Sequence, residues 1–518
     1  MPPHNTSRIL LSALCVLLLL SCSPQAPSPS PVSTTTPPAS TTEDSATAVP
    51  LPVASTETPT AAPTLQPDLA RPQYALDLQL NYSSKAAIVN ETITYPNWTG
   101  ETLNNLVLAV EPNLWSGGFN LKSLSIDNQS ITNYVLENLS QRLEIPLSQP
   151  VQPSQTITIT MSYGLILPQM QAYSNPDEVR PQIYGYSDRQ VNFVDWYPFV
   201  VPYVPGQGWL LHNPWFYGEH LVYDLADFDV TVTFTDGANP KVAASGVEIK
   251  PALEEVTPSV TSSAAVKRHF VMEAGRTFAL SISDFFKVAT QTVGDITVYS
   301  YYFGLYDAPG EAMLQTTIEA MQIYSQRFGP YRHKTLTAVQ GDFNDGMEFS
   351  GLYFISRDYF NLYDGTPKNY LVTIAAHETA HQWWFDAVAN DQALEPWLDE
   401  ALATYSERIY YETVDPDLVD WWWGYRYFEF DKPGYVDTQI YDGGGQRPYW
   451  DKVYLTGARF LEALRKQVGD DIFFAFLKSY YTQYEGKRAT GADFFRVLHE
   501  TTAADITPLM TQYFQNTY

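Results

Sequence analysis

Leu371-Val372-Thr373-Ile374-Ala375-Ala376-His377-Glu378-Thr379-Ala380-His381-Gln382-Trp383-Trp384-Phe385 is the stretch from which the rest of the chain is best read. It contains neither proline nor glycine, so it predicts a helix with His377-Glu378-Thr379-Ala380-His381 inside it. A spacing of four puts both imidazoles on one face, one turn apart, where their nitrogens can converge on a single cation with Glu378 beside them. A catalytic zinc needs a third protein ligand and a position left for water. The next segment offers one. Pro396 suits the start of a helix that continues Trp397-Leu398-Asp399-Glu400-Ala401-Leu402-Ala403-Thr404-Tyr405. Glu400 is the expected third ligand, with His377 and His381, of one Zn2+ per chain. Asp399 in that role, or Glu400 as a solvated helix carboxylate, is the alternative.

Outward from this motif the chain changes character once. Before about residue 290 the apolar residues alternate: Leu76, Leu78, Leu80 and Tyr82, then Ile157, Ile159, Met161 and Tyr163, then Val230, Val232 and Phe234 ahead of Asp236-Gly237. Period two with turn residues between the runs means strands. With no convincing helix among them, they predict an N-terminal antiparallel β-sandwich or saddle-like sheet domain over 73–290. Beyond it come a strand-like run from Val298 to Phe303 and a helix carrying Leu314, Ile318 and Met321, stopped by Gly329-Pro330. From about 369 the chain reads mostly helical. The expected class is α+β multidomain, with the metal motif in 291–518.

The chain has 518 residues, 45% hydrophobic and 17% charged, with a net charge of -27. That excludes a small or wholly disordered protein, and such an acidic surface repels nucleic acid, which is not expected as a partner. Cys15 and Cys22 are its two cysteines. The body therefore has neither disulfides nor thiolate metal sites, and any metal falls to histidine and carboxylate. Arg8 precedes an apolar run from Ile9 to Leu20, which suits a signal-peptide core and falls short of the ~20 residues that cross a bilayer. The run ends Leu19-Leu20-Ser21-Cys22, which resembles a bacterial lipobox. Residues 1–21 are read as a lipoprotein-type signal peptide and Cys22 as the lipidation site, an ordinary cleaved signal being the alternative. Residues 22–72, rich in Ser, Thr and Pro, form a spacer with too little apolar surface for a core. The expectation is an exported protein held on a membrane surface by lipid, facing the extracellular or periplasmic side.

H-E-x-x-H, eighteen residues and then Glu, followed by Ala401-Leu402-Ala403-Thr404-Tyr405, resembles the aminopeptidase N family of gluzincin zinc metallopeptidases. Gly346-Met347-Glu348-Phe349 is similar to that family's Gly-Ala-Met-Glu-Asn element, and Tyr454-Leu455-Thr456-Gly457-Ala458 to the segment bearing its catalytic tyrosine. Trp196-Tyr197-Pro198 and Ala244-Ser245-Gly246 also fall where the family has comparable short patterns. The resemblance implies an N-terminal β-domain, a thermolysin-like catalytic domain and a helical end. It further implies a peptide substrate, Glu378 as general base, Tyr454 as oxyanion donor, and Glu348, with Gly346 and Met347, binding the substrate's N-terminal amine and backbone. Gly346 stands where Ala is frequent, Phe349 for Asn, Ala401 for Gly and Thr456 for Lys, and the glutamine that many members bring from the β-domain has no clear counterpart. A zinc endopeptidase and a non-catalytic zinc- or peptide-binding surface lipoprotein are the rival readings. Trp421-Trp422-Trp423 is assigned to packing, and His4, His212, His220, His269, His333 and His499 to structure.

Overall fold

The computed structural model describes residues 71–170, 182–250, 265–427 and 434–518. Cys22 and nearly all of the signal and spacer lie outside the described residues. The alternation predicted from Leu76 to Leu80 is realised in strand Gln73–Asn81, where Tyr74, Leu76, Leu78 and Leu80 are buried. This strand is central in an eight-stranded sheet, flanked by Ala226–Phe234 and Ala86–Pro96, with Thr156–Ile166 and Phe119–Ile126 beyond the latter. The pairing is antiparallel with one exception: Gln73–Asn81 runs parallel to Ala226–Phe234. The purely antiparallel expectation is corrected there. A parallel neighbour needs a long crossover, and the intervening chain supplies one, carrying strands of two separate four-stranded sheets.

A five-stranded sheet follows, in the order Phe286–Val293, Ile296–Phe303, Thr335–Gln340, Leu352–Ile355, Met347–Phe349. Residue 290 falls within the first of these strands. Helix Asp307–Arg327 makes the crossover between the parallel strands Ile296–Phe303 and Thr335–Gln340. Met347–Phe349 pairs antiparallel with Leu352–Ile355 and forms the sheet's edge.

Three helices then build the frame of the site. Asn369 caps helix Tyr370–Ala380 by accepting from the Leu371 amide (2.8 Å). Helix Trp397–Val414 packs beside it, and the Tyr324 hydroxyl, from helix Asp307–Arg327, reaches the Ala376 (3.1 Å) and Ser406 (2.9 Å) carbonyls, joining all three. Buried Arg276 donates to the carbonyls of Tyr223 (3.1 Å), Asp386 (2.8 Å) and Lys487 (3.0 Å), linking the β-rich half to the helical half. No helix among the described residues is long and apolar enough to cross a membrane.

Candidate active site

The motif does not lie inside its helix as the sequence predicts: the helix closes at Ala380 and His381 is its C-cap. His381 keeps right-handed helical torsions, however, and its amide still bonds the His377 carbonyl (3.3 Å), so the one-turn offset between the imidazoles survives. The closure is imposed from outside. Gln382 exchanges hydrogen bonds with the Phe349 carbonyl (3.0 Å) and the Gly351 amide (2.8 Å), and Trp383 Nε1 donates to the Gly329 carbonyl (2.8 Å).

The two Nε2 atoms stand 3.1 Å apart, and Glu400 Oε2 lies 3.3 Å from that of His377 and 3.5 Å from that of His381. Three donors about 2.0 to 2.1 Å from one tetrahedral ion would sit roughly 3.3 to 3.4 Å apart, so the spacing fits zinc. The outer nitrogens sharpen the fit. His377 Nδ1 donates to Glu407 Oε1 (2.9 Å), and His381 Nδ1 donates to the Trp384 carbonyl (3.1 Å). With those protons spent outward, neutral imidazoles present lone pairs to one point, an arrangement that a cation stabilises and that is otherwise repulsive. Asp399 turns away: its carboxylate accepts from Asn390 Nδ2 (3.2 Å), Gln392 Nε2 (2.9 Å) and the Glu400 amide (2.9 Å).

All three candidate ligands and Glu378 are buried yet line one cavity of about 200 Å³, together with Gly346, Glu348 and Tyr454. Glu378 Oε2 has no hydrogen-bond partner. Burial raises the Glu378 carboxyl above its usual range, with the two imidazoles opposing that rise. Its other oxygen rests against Gly346, where an added Cβ would come within 2.1 Å of Oε1. Without a cation between the three side chains, burial works against a charged His377 but the hydrogen bonds to Glu400 and Glu407 overcome it and raise it to about 9; a bound cation would take the place of that inner proton and leave the imidazole neutral.

Tyr454 lies in a wide π-helical turn, Asp451–Thr456, ahead of helix Gly457–Val468. Its hydroxyl donates to Glu400 Oε1 (2.5 Å), and burial followed by the Glu400 charge keeps it protonated far above the usual range. The turn approaches the ligand helix because Gly457 has no side chain: a Cβ there would fall 2.4 Å from that of Ala401. Glu348 is buried on the edge strand rather than a solvated strand residue.

Four contributors, Glu407 among them, were not visible beforehand. Glu219, from an irregular loop of the β-rich half, brings a carboxylate oxygen within 4.8 Å of those of Glu348 and Glu400, in the region for which no β-domain glutamine was found. Trp422, expected only to pack, donates to Glu407 Oε2 (2.8 Å) and so steadies the partner of a ligand imidazole. Gln392 contacts Glu348 (3.1 Å). The seven-residue step from Glu400 to Glu407, two helical turns, is a signal that could have found Glu407; the loop positions have no period to betray them. Among the described histidines, His212, His220, His269 and His333 pair with Asp391, Glu111, Asp229 and Asp386 and stay apart from this cluster.

Residues 312–513 match the model of the peptidase family M1 domain. That stretch is similar to an M1 peptidase domain. Aminopeptidase N of Lactococcus lactis subsp. cremoris is 26% identical over 213 residues, 38% of this chain and 25% of that protein. Endoplasmic reticulum aminopeptidase 1 of Mus musculus is 26% identical over 249 residues, 45% and 27% of the two chains. The matched part thus spans about a quarter of these curated relatives. In fold, the chain resembles the M1 zinc metallopeptidase from Deinococcus radiodurans, with a TM-score of 0.60 at 18% identity over 86% of this chain and 94% of that one. A two-domain M1 zinc metallopeptidase bound to L-arginine gives a TM-score of 0.61 at 19% identity, covering 86% and 95%. The match to the M1 domain model bears out the resemblance to the aminopeptidase N family, and a β-rich region followed by a helical, M1-like region agrees with the expected class.

Proposed function

We propose that the protein is a zinc aminopeptidase, with one ion per chain, that removes N-terminal residues from peptides. The observation that carries this reading is the convergence of His377 Nε2, His381 Nε2 and Glu400 Oε2 within 3.5 Å of one another, with both Nδ1 protons committed elsewhere. Zinc held by these three side chains would supply Lewis acidity toward the scissile carbonyl and a water of lowered pKa. Glu378, whose Oε2 is unengaged in the same cavity, takes the proton of the attacking water and returns it to the leaving amine. Tyr454, kept protonated, donates its hydroxyl hydrogen to the oxyanion as charge develops there. Glu348 and Glu219 offer negative charge to a substrate ammonium, and the edge strand Met347–Phe349, with Gly346 before it, offers backbone to an extended peptide.

The proposal extends to location: an exported chain tethered to a membrane surface by lipid on Cys22, supported by the apolar run after Arg8, Leu19-Leu20-Ser21-Cys22 and the polar spacer that follows. Metal analysis of the purified chain, with aminoacyl-anilides carrying free and acetylated amines, tests the activity. Zinc at one equivalent and cleavage confined to free amines are expected. Equal cleavage of both would make the protein an endopeptidase, and zinc without turnover would make it a binding protein. Labelling of the wild type but not of Cys22→Ala by a fatty-acid probe tests the anchor.

A further inference from the structure

Glu348 stands between two spaces. On one side is the catalytic cavity of about 200 Å³. On the other is a second cavity of about 340 Å³, walled by Trp115, Met347, Phe349, Phe385 and Gln392, and Glu348 lines both. A volume in that range is ample for small-ligand groups. Gly218 and Glu219 line both cavities as well, so the amine-binding carboxylate is one part of a shared wall, and what holds it upright decides whether the wall stays closed at that point. Among the described residues Gln392 holds its carboxylate: Gln392 Nε2 donates to Glu348 Oε1 (3.1 Å) and to Asp399 Oδ2 (2.9 Å). Asp399 is itself fixed by Asn390 Nδ2 and by the backbone amide of the metal ligand Glu400. A continuous chain of contacts therefore runs from the ligand helix through Asp399 and Gln392 to Glu348. All of these side chains are buried, where a donor to a carboxylate counts for more than at the surface.

We propose that Gln392 is a positioning residue that holds Glu348 in the wall between the two cavities and thereby limits the enzyme to removing one residue at a time. This rests on the aminopeptidase reading above. With the amide in place, a peptide ammonium meets a fixed carboxylate and only the first peptide bond reaches the ligand cluster. Without it, Glu348 can turn, the cavities join, and an additional residue can pass beyond it.

The test is Gln392→Met, which keeps the volume and removes the donor, in the zinc-loaded full-length protein. KM and kcat are measured on aminoacyl-anilides with free and acetylated amines, and products of a tetrapeptide are identified by mass. KM for the free-amine substrate is expected to rise about tenfold, more than kcat falls, the size expected for one lost hydrogen bond to a charged group. The ratio of acetylated to free turnover rises, and intact dipeptide appears among the products. A wild type selective for free amines with a Gln392→Met enzyme of unchanged KM, unchanged selectivity and no dipeptide overturns this inference alone. A wild type indifferent to acetylation overturns the aminopeptidase reading and this inference with it. Should Gln392→Met not fold, Gln392→Asn, too short to span both carboxylates, is read by the same criteria.

Discussion

Glu91 and Glu400 are the same residue type, both wholly enclosed, and the two halves of the molecule treat them oppositely. In the β-rich half Glu91 is fully enclosed and takes a hydrogen bond from the Tyr163 hydroxyl (2.9 Å). Burial there drives its carboxyl well above the usual range, against the Tyr163 bond, and favours the protonated form. In the helical half burial pushes Glu400 the same way, but His381 and then His377 reverse it and leave a carboxylate. The helical half also encloses Glu348, Glu378, Asp386, Asp399 and Glu407, whereas the β-rich half adds little beyond Asp227 and Arg276. Desolvating charge costs several kcal/mol per ion. The chain places most of that cost in the half that bears the candidate site and leaves the other half largely to apolar packing.

The comparison can be broken most decisively at Glu378. Glu378→Gln should keep its zinc, measured by metal analysis, and lose turnover by roughly 10² to 10⁴-fold; retained turnover would mean the enclosed carboxylate serves another purpose. Tyr454→Phe is expected to lower kcat by roughly 10² to 10³-fold with an unchanged circular dichroism spectrum. Glu407→Ala should weaken zinc binding by about 10 to 100-fold in a chelator competition, since it frees the ligand imidazole of His377 from its outer partner.

The smallest effect belongs to the β-rich half. Because Glu91 binds a proton when folded that it releases when unfolded near neutral pH, its raised pKa subtracts stability as pH climbs from the unfolded value of about 4.3. Glu91→Gln removes that dependence. Denaturant titrations at pH 5 and pH 8 should show the variant close to wild type at the lower pH, within about 1 kcal/mol, and relatively more stable at the higher. The opposite slope would show that Glu91 is ionised in the folded protein.

Much of this division was legible where periodicity turns sequence distance into space. Four residues between His377 and His381 specify one helical face, and the alternation of Leu76, Leu78 and Leu80 specifies one sheet face. Glu348 and Tyr454 were reached through resemblance alone, because their approach to the ligands is set by an edge strand and by the bare surface of Gly457, neither of which has a local signature. Glu219 and Gln392 sit on irregular segments whose course follows from tertiary contacts. The helix end at Ala380 was missed for a similar reason: Gln382 and Trp383 carry no intrinsic stop, and the bend comes from their bonds to Phe349, Gly351 and Gly329. The parallel pairing of Gln73–Asn81 with Ala226–Phe234 needs the path of everything between them.

The Tyr324 hydroxyl, lodged between the Ala376 and Ser406 carbonyls, fastens the histidine-bearing and glutamate-bearing helices at one point in the interior. The socket is thereby assembled by the polypeptide rather than by its cargo. Stripping the ion with a chelator should silence the protein while leaving its helical signal intact, and refilling should restore it without a refolding lag.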